Sequence, residues 1–260
     1  MSATERLITV NDRRFYLRTH GAGYPTVVFD AGRGDGADGW GTLIEEVAAF
    51  AQTYVYDRAG IGRSEAAPPP RTSGQIVEDL RALLAAAAIP PPYLLVGHSL
   101  GGLNMQLYAR RYPRDVAGLI LLDTTHADFP IRVRAALSPE ECHAFDESFG
   151  NNPEGIDRQG CWAEVRAAAP MPDIPLVVIA RGQAPPAATL PANWPTEHME
   201  QIWQGVQKEL AGTSPQGRFM RAERSGHYVH HDQPALILAE IRRVVASVRG
   251  ADPGNTAPPH

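Results

Sequence analysis

A serine between small residues carries the strongest chemical signal in this sequence. The segment Gly97-His98-Ser99-Leu100-Gly101-Gly102 follows a short apolar run, 93–96, and precedes a pattern typical of a helix. The pattern G-x-S-x-G between a strand and a helix indicates a tight turn that presents a nucleophilic serine. Glycines suit such a turn because it leaves no room for larger side chains. Ser99 is therefore the candidate nucleophile, and it requires a base.

A histidine near the C-terminal end is the candidate base. His227 lies in Ser225-Gly226-His227-Tyr228, after the last predicted strand and before the last predicted helix. His230 and His231 follow closely, and we expect both at the surface because 232–234 look like the start of that helix. A metal site built from these three histidines is disfavoured, since zinc sites need three or four ligands and no further ligand is at hand.

The elements that must position these residues alternate along the chain. Short apolar runs separated by helical patterns predict a largely parallel sheet covered by helices. Residues 126–173 break the alternation and indicate an insertion, because connections in such folds are usually short. Ser73 is expected to cap the second helix. Strands are predicted at 7–10, 15–17, 26–29, 53–56, 93–96, 117–122, 176–179 and 218–222, and helices at 43–51, 74–88, 100–111, 197–211 and 234–248.

Three motifs together resemble the α/β-hydrolase superfamily, in its serine hydrolase and esterase branch, over residues 5–249. They are Asp57-Arg58-Ala59-Gly60-Ile61-Gly62-Arg63-Ser64, the turn around Ser99, and Gly226-His227. The resemblance implies an α/β-hydrolase fold, with a mostly parallel eight-stranded sheet flanked by helices and a small helical cap inserted after strand 6. The expected core is 1–125 with 174–250, the cap is 126–173, and 251–260 form a disordered tail.

The acid of the expected Ser-His-Asp catalytic triad is displaced from its usual position. In most relatives it follows the strand at 176–179, but here Gly182 precedes Gln183-Ala184-Pro185-Pro186, and no carboxylate occurs until Glu197. Asp123, at the end of the strand at 117–122, is the preferred substitute, since catalytic side chains gather at this edge of a parallel sheet. Glu197 is the rival acid, although the helix dipole alone explains an acid in a first helical turn.

An oxyanion hole is expected from two main-chain N–H groups. One belongs to Leu100, directly after the nucleophile, and the other to Arg33, in the loop after the third strand. A rival interpretation of this loop is a dinucleotide site, because 34–39 formally match G-x-G-x-x-G. Asp35 and Asp38 oppose it, since negative charge repels a pyrophosphate. No cofactor and no metal are therefore expected.

The predicted activity is cleavage of a small or medium carboxylic ester through an acyl-enzyme. The cap is expected to supply an apolar substrate pocket. Alternatives on the same triad are a lactonase, a perhydrolase, an aminopeptidase and a carbon–carbon bond hydrolase, and another class is a non-catalytic binding or receptor protein on this scaffold. The candidate substrate-binding residues are Phe129, Phe145, Phe149, Trp162 and Trp194.

Composition limits the partners. The 260 residues carry a net charge of −5 from 29 acids and 24 bases, which argues against a nucleic-acid partner. The first residues lack the apolar core of a secretory signal, and the longest apolar stretch, 83–89, is far too short to span a membrane. Two cysteines, Cys142 and Cys161, cannot form a disulfide framework. We expect a soluble, cytoplasmic protein with a small-molecule substrate, and the sequence predicts no oligomeric state.

Overall fold

Eight strands form one sheet in the order β1-β2-β4-β3-β5-β6-β7-β8 in the computed structural model, which describes residues 3–147, 152–190 and 194–251. β1 and β2 form an antiparallel hairpin, β2 also pairs antiparallel with β4, and every other neighbouring pair is parallel. This arrangement confirms the predicted fold. The strands are β1 Thr4–Val10, β2 Arg13–His20, β3 Thr26–Asp30, β4 Thr53–Tyr56, β5 Tyr93–His98, β6 Val116–Leu122, β7 Leu176–Arg181 and β8 Gly217–Ala222.

Helices cover both faces of this sheet. Successive strand residues such as Val27 and Val28, or Leu94 and Leu95, belong to two different buried clusters. Side chains of a strand alternate between its faces, so both faces are buried, which explains the continuous apolar runs. The helices are α1 Leu43–Ala48, α2 Ser73–Ala86, α3 Leu100–Arg111, α4 Phe129–Ala136, α5 Pro139–Glu147, α6 Arg158–Ala167, α7 Thr196–Ala211, α8 Val229–Asp232 and α9 Pro234–Ala251.

The start of α2 differs from the expectation. Thr72, not Ser73, is the N-cap, and it forms a capping box with Gln75 in which each side chain bonds the other's main-chain N–H. This Thr-x-x-Gln spacing satisfies two helix-terminal donors at once, which explains why the cap lies one residue earlier. Ser73 is the first helical residue, and its hydroxyl donates a buried hydrogen bond to Asn104 Oδ1 instead.

Three helices, α4 to α6, lie between β6 and β7. α6 packs against α2 and α3, whereas α4 packs against α7. Cys142 and Cys161 are free thiols. Within the described residues, 3–147, 152–190 and 194–251, no helix is both long enough and apolar enough to cross a membrane. Phe149 and the predicted tail from residue 252 lie outside the described residues, and the core and cap boundaries remain predictions.

Candidate active site

Ser99 lies on a strained turn between β5 and α3. Its φ and ψ angles are 52° and −116°, a conformation that costs a non-glycine residue about 1–3 kcal/mol. A Cβ atom on Gly97 would lie 2.6 Å from Gly102 Cα, and one on Gly101 would collide with the carbonyl oxygen of Asp30. Both positions therefore require glycine. The Ser99 main-chain N–H donates to Leu122 O at 3.1 Å, which ties the turn to the end of β6.

The buried carboxylate of Asp123 lies against His227. The His227 Nδ1 atom is 2.6 Å from Asp123 Oδ2, and Asp123 directly follows β6 with its side chain fully buried. Glu197, by contrast, is exposed in the first turn of α7 and forms no hydrogen bond or ion pair with His227 in the described part of the chain. The geometry therefore pairs the imidazole with Asp123.

Two residues that the sequence analysis did not assign hold Asp123 in place. The Trp203 indole donates to Asp123 Oδ1 at 2.7 Å. Arg181 donates twice, from its main-chain N–H to Oδ1 at 3.0 Å and from Nη1 to Oδ2 at 3.1 Å. Arg181 is in turn ion-paired with Glu200 of α7. These donors fix both carboxylate oxygens, so Asp123 presents a rigid acceptor to His227.

This environment also sets the acidity of Asp123. Burial raises its pKa, but the Arg181 guanidinium and the hydrogen bond from His227 together outweigh burial and lower the pKa to about 2. Asp123 is therefore ionised at any pH at which the folded protein would function. An ionised carboxylate accepts the Nδ1 proton of His227, which leaves Nε2 as the basic nitrogen.

The low pKa of Asp123 predicts a pH-dependent contribution to stability. Its folded-state value, about 2, lies below the ordinary value of 3.8, so the contribution is present above pH ~4 and is lost as the pH falls through ~2. We expect the difference in unfolding free energy between wild type and Asp123→Asn to shrink by roughly 2 kcal/mol over this range. Urea unfolding at three pH values from neutral to about 2 measures it. A difference that stays constant would contradict the assigned acidity.

The loop after β3 is held by a buried arginine. Arg58 Nη1 and Nη2 donate to the carbonyl oxygens of Ala31 and Gly32, each at 2.6 Å. The same guanidinium forms ion pairs with Asp30 at 2.6 Å and with Glu154 at 2.7 Å. Together these bonds anchor the start of the loop, directly before Arg33.

Two main-chain donors remain available in this region. The N–H groups of Arg33 and Leu100 have no acceptor among the residues that the structure describes. Arg33 follows the carbonyls that Arg58 anchors, and Leu100 begins α3 directly after Ser99. Both residues line the same cavity as Ser99. They thus occupy the places that the sequence assigned to oxyanion donors, and their N–H groups are free to bind an oxygen.

The glycine-rich loop does not suit a dinucleotide. The Gly34 N–H donates to Glu154 Oε1 at 2.8 Å, and the Ala37 N–H donates to Asp57 Oδ1 at 2.7 Å. The Gly39 N–H is bonded to Gly36 O at 3.1 Å. Main-chain donors that would have to cradle a pyrophosphate are already paired within the protein. Asp57, from the 57–64 motif, therefore has a structural role in this loop.

A cavity of about 220 Å³ is lined by several of the candidate residues, including Ser99 and His227. Of the candidate substrate-binding residues, Phe129 and Trp162 contribute to its wall, whereas Phe145 and Trp194 do not line it. These two rings stack on each other with centroids 6.3 Å apart, and Phe145 packs behind Phe129 in a small apolar cluster with α7. The cavity is lined by Arg33, Ser99, Leu100, Leu103, Thr125, Phe129, Ile156, Arg158, Cys161, Trp162, Trp203 and His227.

The prediction that His230 is a surface residue is wrong. The short helix α8 turns His230 inward, where it is only 5% exposed and packs against Trp40 and His98. Burial, and then the charge of His231, lower the pKa of His230 to about 3. His231 is exposed, as expected. Within the described residues, no group of three or more His, Cys, Asp or Glu side chains is arranged to hold a metal ion.

Comparisons with known proteins agree with this architecture. A family model described as "alpha/beta hydrolase fold" matches residues 25–160, a little more than half of the chain. The protein YqjL of Bacillus subtilis (strain 168) is 29% identical, over 91% of this chain and 90% of YqjL.

Two solved structures share the fold. A thermophilic esterase from Thermogutta terrifontis superposes with a TM-score of 0.65 and 21% identity, covering 95% of this chain and 99% of the esterase. An enol-lactonase from Burkholderia xenovorans LB400 superposes with a TM-score of 0.67 and 18% identity, covering 93% of this chain and 100% of the lactonase. The chain therefore belongs to the alpha/beta hydrolase fold family and is a hydrolase enzyme of that family.

Proposed function

We propose that the chain hydrolyses small carboxylic esters through a covalent acyl-enzyme on Ser99. The observation that carries the proposal is the buried Asp123–His227 pair, 2.6 Å between Oδ2 and Nδ1, beside the cavity that Ser99 and His227 both line. A serine hydroxyl becomes a nucleophile when a neighbouring imidazole removes its proton, and a buried carboxylate orients that imidazole. Asp123 is the acid of this triad, and Glu197 has no part in it.

In the first half-reaction the Ser99 Oγ atom attacks the ester carbonyl carbon while His227 Nε2 takes the hydroxyl proton. Negative charge then develops on the carbonyl oxygen, and the N–H groups of Arg33 and Leu100 bind it. Asp123 stabilises the imidazolium that forms on His227. The carbon–oxygen bond to the alcohol breaks, His227 returns the proton to the departing alcohol, and the acyl group remains on Ser99.

In the second half-reaction water replaces the alcohol. His227 takes a proton from the water as its oxygen attacks the acyl carbon, and the same two N–H groups bind the second oxyanion. Collapse breaks the bond to Ser99 Oγ, which regains its proton from His227. The products are a carboxylic acid and an alcohol, with one water consumed, and the enzyme returns to its initial state.

The shape of the cavity supports a short substrate. Its volume, about 220 Å³, is smaller than the roughly 300–1,000 Å³ of pockets that bind drug-sized ligands. α4 contributes Phe129 to the wall, and α6 contributes Trp162. On this basis we propose that 126–173 serve as a cap that limits substrate length. The free thiols of Cys142 and Cys161 support a cytoplasmic location, where thiols stay reduced.

An activity profile tests the proposal. We expect p-nitrophenyl acetate and butyrate to give a burst of p-nitrophenol followed by steady turnover, and the octanoate to react more slowly because the cavity excludes it. A γ-lactone, a peptidyl p-nitroanilide and a peracid assay distinguish the alternative activities on the same triad. Faster cleavage of the anilide than of every ester would contradict the proposed substrate class. If the wild type hydrolysed none of these substrates faster than a Ser99→Ala control, the proposed catalysis itself would be contradicted.

A further inference from the structure

Two cations line the cavity beside Ser99. Arg33 comes from the loop after β3, and Arg158 is the first residue of α6. Both side chains are half-buried. No aspartate or glutamate is among the described residues that line this cavity. The remaining wall is mostly apolar, with Leu103, Ile156 and Trp162 among its members. Two arginine side chains in a small, mostly apolar cavity favour a ligand that carries a negative charge as well as an apolar part.

Two described carboxylates near this cavity form ion pairs with other arginines. Glu154 bonds Arg58 through both oxygens, at 2.7 and 2.9 Å, and also accepts the Gly34 N–H. Asp146 is ion-paired with Arg134. Within the described ranges, the Arg33 guanidinium has no hydrogen bond and no ion pair with any of these acids. Its donors are therefore available to a ligand in the cavity.

The energetics favour an anion between these arginines. Burial lowers the pKa of Arg158, the positive charge of Arg33 lowers it further, and the negative charge of Asp146 opposes both effects. The two positive charges therefore repel each other. A bound carboxylate would offset this repulsion, and its attraction to the arginines is stronger inside an apolar cavity than in water. The planar guanidinium also matches the geometry of a carboxylate.

We propose that the enzyme selects esters with a carboxylate at the far end of the acyl chain, namely half-esters of short dicarboxylic acids. The inference rests on the proposed ester hydrolysis at Ser99. Arg33 and Arg158 bind the distal carboxylate, and the apolar wall formed by Leu103, Ile156 and Trp162 contacts the methylene chain between the two ends. The small volume of the cavity limits that chain to a few carbons.

Paired substrates isolate the effect of the carboxylate. We would measure kcat/KM for the monomethyl esters of succinate, glutarate and adipate, each against its dimethyl ester, after correcting the diester for its two equivalent sites. Charge-assisted hydrogen bonds contribute enough to change affinity by about tenfold or more. We therefore expect at least one half-ester to exceed its diester by about tenfold or more in kcat/KM.

Arginine variants locate the source of the preference. Arg33→Gln keeps its main-chain N–H and should lower the ratio of half-ester to diester by about tenfold, and Arg158→Gln should lower it in the same direction. The matched control is Arg132→Gln, because Arg132 pairs with Glu209 and does not line the cavity. Its ratio should equal that of the wild type. A wild-type ratio in Arg33→Gln would overturn the proposal.

A binding measurement separates this inference from the proposed function. Calorimetric titration of Ser99→Ala with a half-ester and with its diester needs no turnover. Tighter binding of the half-ester, lost in Ser99→Ala/Arg33→Gln, would support carboxylate recognition even if the catalytic proposal failed. Equal binding of the two would overturn carboxylate recognition, although Ser99-dependent hydrolysis of neutral esters would then still stand.

Discussion

Replacement of Ser99 with alanine is expected to lower kcat for ester hydrolysis by about 10⁴-fold or more. The variant keeps the cavity, the two oxyanion donors and the Asp123–His227 pair, so it removes only the atom that forms the acyl-enzyme. His227→Ala should cost about as much, because a serine without its base is a weak nucleophile. Stopped-flow measurement with p-nitrophenyl acetate should also show that the burst disappears in both variants.

Non-additivity distinguishes a catalytic unit from two separate contributions. If Ser99 and His227 act together, the double variant Ser99→Ala/His227→Ala should be no slower than either single variant. The matched control is His231→Ala, because His231 is exposed and bonds the carbonyl oxygen of Gly39. That variant should retain wild-type turnover. Wild-type turnover in Ser99→Ala instead would refute the nucleophile assignment.

Asp123→Asn is expected to lower kcat by about 10⁴-fold, because an amide at this position favours the wrong tautomer of His227. The Nδ1 atom would then face an NH₂ donor at 2.6 Å in place of the carboxylate acceptor. A loss of folding would mimic this result, so the thermal midpoint and the circular dichroism spectrum must be measured in parallel. An intact fold with lost turnover supports the role of Asp123 as the acid.

Glu197→Gln is the matched comparison for this variant. Glu197 was the rival acid, and its exposed position on α7 predicts wild-type turnover when it is neutralised. Steady-state kinetics of the two variants under identical conditions should therefore differ by orders of magnitude. Full activity in Asp123→Asn together with lost activity in Glu197→Gln would transfer the acid role to Glu197.

Local patterns made the centre of the site predictable. The turn around Ser99 needs residue types that are close in sequence, and its strand and helix were both visible as apolar periodicity. Asp123 was predictable because parallel strands end at a common edge, and β5 and β6 are neighbours in the sheet. The same argument extends one strand further. Leu122 pairs with Ile179, so Arg181 at the end of β7 lies beside Asp123.

Interactions between segments that are far apart in the sequence could not be predicted from local patterns. Arg58 and Glu154 are separated by 96 residues, and nothing in either local pattern indicates that they meet. The bond from Trp203 to Asp123 spans 80 residues, and a single sequence gives no signal for it. His230 was misplaced for a different reason: α8 has only four residues, too few for a helical period to show which side faces inward.

The most direct test of Ser99 as the nucleophile is to label covalently the residue that forms the acyl-enzyme. An alkyl fluorophosphonate reacts when a serine Oγ atom displaces fluoride from phosphorus and leaves a stable phosphonyl ester. Mass spectrometry of the intact chain and its peptides should then show one adduct per chain, on the peptide that contains Ser99. Labelling should be abolished in Ser99→Ala and much slower in His227→Ala. An adduct on another residue, or equally fast labelling of His227→Ala, would contradict the proposed mechanism.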